Sequence, residues 1–187
     1  MPGASSTGTC TSWTRPSFGP TSTPPAPAGP ALSGGVAADE ALGRSQGGFS
    51  TKLHLRAEGG GKPIVAVLTG GERHEQIALE ALLDGGTIHR PGPGRPRLRP
   101  RRVAGDKGYS SPTARRRLRR RGIRPVIPTK SNERRQPRFD HEAYRRRNQI
   151  ERLINRLKQS RRIATRYEKR AANYLAMIHI GMILLWL

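Results

Sequence analysis

Residues 49–69, FSTKLHLRAEGGGKPIVAVLT, read as two β-strands joined by a turn. FSTKLHLRA alternates apolar and polar side chains, EGGGKP supplies turn chemistry and IVAVLT is a second strand, so the stretch predicts a β-hairpin. Gly70 and Gly71 break it, and HEQIALEALLD takes up helical spacing. Next, RPGPGRPRLRPRR holds too much Pro and Gly for regular structure, and its arginines mark a loop able to lie along phosphates. RVAGD is a short buried strand ending at Asp106. Ser111 and Pro112 have the pattern of a helix start, a capping hydroxyl and then a residue with no N–H to satisfy, and TARRRLRRR continues that helix to Gly122. IRPVIP gives another strand, TKSNERRQPRFD a second basic loop, and helices over about residues 142–166 and 169–187 finish the chain. The order β-β-α-β-α-β-α-α predicts an α/β fold, a mixed sheet with flanking helices.

Composition points to the partner. Lys and Arg total 35 of 187 residues against 13 Asp and Glu, a formal net charge of +22, so a polyanion is the leading expectation and nucleic acid the first candidate. An anionic membrane surface is the second; an arginine-rich solvated face, or the codon usage of a GC-rich genome, is the bland account of the same charge. A single cysteine, Cys10, excludes an internal disulfide or a cysteine metal cluster and fits a reducing, cytoplasmic setting. The N-terminus lacks the charged start and apolar core of a secretory signal. The apolar run at residues 171–187 is shorter than the ~20 residues of a spanning helix and carries Asn173 and His179, so it reads as a buried or partner-facing helix and not as a membrane anchor.

The chemistry concentrates in YRRRNQIERLINRLK, residues 144–158. At about 100° per residue, Tyr144, Arg147, Glu151 and Lys158 fall within a sector of roughly 60° on one side of a helix, while Ile150, Leu153, Ile154 and Leu157 cluster on the neighbouring flank. One flank packs into a core and the other presents an aromatic, two cations and a carboxylate. Asp106 at a strand end and Glu151 on a helix packed across the sheet can converge on hard cations, which prefer oxygen ligands; two such ions can activate a hydroxyl and stabilise the leaving oxygen in phosphodiester cleavage or strand transfer. In that scheme Arg147 and Lys158 bind backbone phosphates, and Tyr144 packs on a sugar or base or orients the carboxylate. The alternative is that Glu151 makes ordinary helical ion pairs with neighbours such as Arg147.

The segments GGFSTKLHL, LTGGERHEQ, VAGDKGYSS, IRPVIPTKSN, YRRRNQIERLINRLKQSRRIATRYEK and NYLAMIHIGMILLWL resemble the catalytic domain of DDE-class bacterial insertion-sequence transposases of the insertion-sequence-five family, from about Gly35 to the end of the sequence. The family spacing of Tyr, Arg, Glu and Lys is met by Tyr144, Arg147, Glu151 and Lys158. The resemblance implies an RNase H-like fold over residues 36–187, Mg²⁺- or Mn²⁺-dependent cutting and rejoining of DNA at element ends, and a nucleoid-associated location, with self-association left open. It implies Asp106 as the second catalytic aspartate and Glu151 as the catalytic glutamate, the two metal ligands.

One part of the family pattern is missing. The first catalytic aspartate belongs on a strand preceding the hairpin, in a segment similar to V-D-S-T, and upstream of Gly48 the acidic residues are Asp39 and Glu40 alone. Residues 1–35, rich in Pro, Gly, Ser and Thr, show no core-forming periodicity and read as disordered. The genetic code offers an origin for them. Trp has only the codon TGG and Thr begins AC, so Trp13 and Thr14 read one register over give GAC, aspartate; with permitted codons residues 11–28 can read VVDSTVVRAHQHAAGA. The N-terminal segment is then an out-of-frame translation, and the RNase H-like domain is incomplete at its N-terminal strand, with unpaired edges and low stability. On this account transposition is impaired, and the alternative is a non-catalytic basic DNA-binding fragment.

Other polar residues carry less. His54, His74 and His89 lack the HExxH arrangement of a zinc protease, and His74 with Glu75 starts a helix. Residues 59–61 form a turn without the GK[ST] ending of a phosphate loop, and Trp186 and the nearby methionines read as packing residues.

Overall fold

The computed structural model describes residues 7–16, 40–45, 48–86, 99–134 and 136–187, with side chains outside 7–16 and residue 45. Its strands are β1 (Thr7–Pro16), β2 (Gly43–Ser45), β3 (Gly48–Ala57), β4 (Pro63–Gly70), β5 (Arg102–Gly105) and β6 (Arg124–Val126). The helices are α1 (Leu79–Asp84), α2 (Pro112–Arg120), α3 (His141–Arg145), α4 (Asn148–Lys158), α5 (Arg161–Ala164) and α6 (Ala171–Leu184), with 3₁₀ turns at Glu75–Ala78 and Lys107–Tyr109.

The expected hairpin forms as β3 and β4, antiparallel from Thr51 opposite Gly70 onward, and Gly61 at φ +88° supplies the left-handed residue its turn needs. Ser111 caps α2 by accepting from the Ala114 N–H at 3.0 Å, Pro112 takes the first turn, and Gly122 at φ +69° follows the helix end. The sheet order is β2-β3-β1-β5-β6, with β4 also on β3.

Two expectations are corrected here. Thr7–Pro16 is not without structure: β1 lies between β3 and β5, antiparallel to β3 from Thr9 opposite Ala57 to Pro16 opposite Ser50, and parallel to β5 from Thr7 beside Arg102 to Cys10 beside Gly105. The sheet is therefore not incomplete at its N-terminal strand, and the edges of β3 and β5 expected to stay open are both paired. Threonines and a tryptophan suit a pleated strand, and partners on both sides satisfy its main-chain groups whatever its side chains are. The remainder of the segment, residues 1–6 and 17–35, lies outside the described residues. Secondly, the helix expected over residues 142–166 is three helices, α3, α4 and α5, with turns at 146–147 and 159–160.

The core lies on both faces of the sheet. Leu53, Leu55, Ala57 and Ala66 pack with Ile150, Leu153, Ile154 and Leu157 of α4, Ile163 of α5 and Tyr174, Ile178 and Met182 of α6. Val65, Val67 and Val103 face Leu82 and Leu83 of α1 and Ala114 and Leu118 of α2. A third cluster seats Ala143 of α3 on Ala104 and Val126. A fully buried Leu or Ile contributes about 1.5–3 kcal/mol, so the apolar flank read from residues 150–157 is what docks α4.

Because helices cover both faces, the polar residues of β3 are buried too. Lys52, His54 and Arg56 are 6%, 0% and 2% exposed. Arg56 Nη1 donates to the Leu83 carbonyl at 3.0 Å, and Nη2 to those of Gly85 and Gly86 at 2.8 and 3.1 Å, satisfying acceptors at the end of α1. Among the described residues no helix is long and apolar enough to cross a membrane.

Candidate active site

Asp106 follows β5 and caps the turn Lys107–Tyr109: its Oδ1 accepts from the Gly108 N–H at 3.0 Å, and its carbonyl from the Tyr109 N–H at 3.2 Å. Burial pushes the Asp106 carboxyl up from its ordinary range, and nearby Glu75 adds to that; the Gly108 N–H and the Arg147 cation pull the other way. Gly108 separates the two acids. A Cβ there would stand 2.9 Å from the Glu75 side chain and 3.0 Å from Asp106 Oδ1, so a larger residue would push those two carboxylates aside.

Beneath this turn runs a buried polar chain that the sequence reading did not anticipate. His54 Nδ1 lies 2.9 Å from the Tyr109 hydroxyl and Nε2 lies 2.8 Å from Thr69 Oγ1. Thr69 Oγ1 donates to the Gly70 carbonyl at 3.3 Å, so it accepts from the Nε2–H of a neutral imidazole, and Nδ1 accepts the Tyr109 proton. Burial, then the Lys52 cation, bring His54 from 6.5 to about 4, against the opposing pull of Glu75. Lys52 Nζ in turn donates to Glu75 Oε1 at 3.0 Å and to the Arg73 carbonyl at 2.7 Å. Burial works against the Glu75 carboxylate, but its own backbone N–H and Lys52 hold its pKa below the ordinary value. Tyr109, three residues after Asp106, is thus pinned to β3 and β4. The available signal was the run of Lys52, His54 and Arg56 on one side of an otherwise apolar strand.

The polar stripe is assembled differently from its expected form. Tyr144 belongs to α3, and Arg147, at φ −57° and ψ −24°, is the residue before α4, so the four residues do not share one continuous helix. Tighter bonds, Arg147 N–H to the Tyr144 carbonyl at 2.9 Å and Ile150 N–H to the Arg147 carbonyl at 3.0 Å, carry the chain through the break. The Arg147 guanidinium still stands 5.4 Å from the Tyr144 ring centroid and donates to Glu151 Oε1 at 2.5 Å. That is the helical ion pair of the alternative reading, and the Glu151 side chain is 49% exposed.

Arg147 bonds Glu151, and its positive charge favours the ionised form of Asp106. Lys158 ends α4, about two turns beyond Glu151. Oxygen ligands for a hard cation are available from Asp106 and Glu151; among the described residues no three His, Cys, Asp or Glu side chains come together as a metal cluster. His89 lies outside the described residues, and His74 caps the Glu75–Ala78 turn by accepting from the Gln76 N–H.

A profile of the family described as Transposase DDE domain matches residues 35–187. A putative transposase for insertion sequence element IS402 of Burkholderia cepacia is 34% identical over 135 residues, 72% of this chain and 62% of that protein. A putative transposase for insertion sequence element IS6501 of Brucella ovis (strain ATCC 25840 / 63/290 / NCTC 10512) is 39% identical over 62 residues, 33% of this chain and 45% of that protein. The chain thus spans less than two thirds of the length of either relative.

Proposed function

The chain belongs to the transposase DDE domain family, and from that premise we propose that it acts on insertion-sequence ends, with Asp106 and Glu151 as the carboxylates of a DNA cleavage and strand-transfer site in an RNase H-like domain of the insertion-sequence-five kind. The observation that carries this reading is the placement of the two acids, Asp106 half-buried at the end of β5 in the turn held by Gly108 and Tyr109, and Glu151 on α4 paired with an Arg147 whose charge also favours the ionised form of Asp106. A half-buried carboxylate at a strand end and a half-exposed one on a helix fit a single Mg²⁺ or Mn²⁺ held by one or two carboxylates, with water and phosphate as its other ligands. When bound, the ion supplies Lewis-acid polarisation of a phosphoryl oxygen. The chain's own part is to orient: the Gly108 N–H and the His54–Tyr109 contact fix Asp106, and Arg147, Lys158 and Tyr144 grip a phosphate backbone and its sugars.

The carboxylate of the family's first aspartate is missing even though its strand position is filled. Thr7–Pro16 contains no acidic residue, and Trp13 and Thr14, where the shifted frame reads aspartate, lie on β1 beyond its last pairing with β5 at Cys10 and Gly105. Two-ion chemistry is accordingly impaired, in keeping with an out-of-frame origin of residues 1–35. The Arg147–Glu151 ion pair favours a second reading, a basic DNA-binding fragment without catalysis, in which that pair never opens. Nicking of a duplex carrying element ends, with Mg²⁺ or Mn²⁺, separates them. Activity lost in both Glu151→Gln and Asp106→Asn supports the catalytic reading; metal-independent, salt-sensitive binding unchanged in both supports the second.

A further inference from the structure

Helix α2 divides its arginines between two sides. Arg117 donates to Glu80 at 3.2 Å, and Arg121, which caps the helix, pairs with Glu80 and Asp84, so the side toward α1 is neutralised. On the other side Arg116, Arg119 and Arg120 stand at steps of three and four and line a groove with Arg134 and Asn132 of the segment after β6. These four arginines are exposed and form no ion pair among the described residues.

The floor of that groove is built in advance. Arg115 is 6% exposed; its Nη1 donates to Glu133 Oε2 at 3.0 Å, and its Nη2 to Ser110 Oγ at 2.5 Å and to the Ile127 and Pro128 carbonyls at 3.4 and 3.2 Å. Ser110 Oγ donates to the same Glu133 oxygen at 2.6 Å. The single acid of the groove is therefore occupied, and the buried Arg115 Nε has no acceptor. A guanidinium has only donors, so a ligand of the four exposed arginines must supply acceptor oxygens, and several negative charges at a spacing that one helix side can meet.

We propose that the groove between α2 and residues 129–134 binds the phosphodiester backbone of duplex DNA, a second contact surface beside the Asp106 and Glu151 site. The inference rests on the reading that the chain acts on DNA. Planar guanidinium forks match phosphate oxygens in two-point contacts, and a row of them on one helix side follows a strand without reading its bases. Ser110 joins the groove floor to the turn that carries Asp106, so DNA held in the groove leads toward that site.

Two double variants with the same change in charge test the placement: Arg119→Ala with Arg120→Ala in the groove, and Arg117→Ala with Arg121→Ala on the neutralised side. Binding to a duplex of element-end sequence and to a scrambled duplex is titrated by fluorescence anisotropy across salt concentrations, with circular dichroism as the check on folding. Each lost phosphate contact lowers the slope of log K against log salt by about 0.9, so the groove pair is expected to flatten the slope by about 2 on both duplexes and the other pair to leave it unchanged. Equal slopes for the two variants, or a loss on one sequence alone, would overturn the proposal. So would weakened binding to phosphatidylserine vesicles with duplex binding intact. If the unsubstituted protein shows no salt-dependent duplex binding, the reading of function fails with it; if it binds and only the variants' slopes coincide, the groove alone fails.

Discussion

Acidifying the protein from pH 7 to pH 5 is expected to cost about 2 kcal/mol of stability through His54. The imidazole is 0% exposed, and burial, then the Lys52 cation, lower its pKa from 6.5 to about 4. The unfolded chain binds that proton below pH 6.5 and the folded one only below about pH 4. The stabilisation is therefore complete above pH 6.5 and lost as pH falls toward 4, with a total of about 3 kcal/mol at roughly 1.4 kcal/mol per unit. The interval from pH 7 to 5 lies above the window of Glu75, whose depressed pKa makes its own contribution fade below 4.5. Urea unfolding followed by circular dichroism at the two pH values measures the difference. His54→Gln retains donor and acceptor groups without a titrating ring, and its loss over the same interval is expected to be smaller by about 2 kcal/mol. Identical pH dependence in the two proteins would refute a neutral, buried His54, and with it the anchoring of Tyr109 beneath Asp106.

The Asp106 carboxyl has a raised pKa in the fold, so its ionisation opposes folding as pH rises through that value, and Asp106→Asn, which retains an acceptor for the Gly108 N–H, is expected to raise the thermal midpoint at pH 7 while abolishing metal-dependent nicking; a lower midpoint contradicts the assignment. Leu153→Ala, at a position 0% exposed between α4 and β3, is expected to cost about 2–5 kcal/mol in urea unfolding, and a loss under 1 kcal/mol means α4 is docked otherwise. Trp13→Asp restores a carboxylate on β1 where the shifted frame reads aspartate; nicking in Mg²⁺ is expected to exceed that of the unsubstituted chain, and no gain counts against the out-of-frame origin.

Features governed by short-range pattern were legible. The hairpin was announced by its alternation and glycines, the start of α2 by Ser111 and Pro112, and the buried flank of α4 by Ile150, Leu153, Ile154 and Leu157. Features decided by distant partners were not. β1 has no apolar period of its own and is held by strands that lie far along the chain, at residues 50–57 and 102–105. The burial of Lys52, His54 and Arg56 depends on α1 and α2 covering the face that an isolated hairpin would give to water. At the candidate site, the spacing of Arg147 and Glu151 foretold their ion pair, but the turn at 146–147 interrupts an unbroken helical repeat and carries no Pro or Gly to mark it.

The position of β1 bears on how such a chain can change. A strand clasped on both sides by main-chain bonds is recognised through its peptide groups, which every residue but proline shares. The architecture is then insensitive to what that strand spells. A change of reading frame across such a strand would replace all its side chains and keep the main-chain groups that hold it in the sheet.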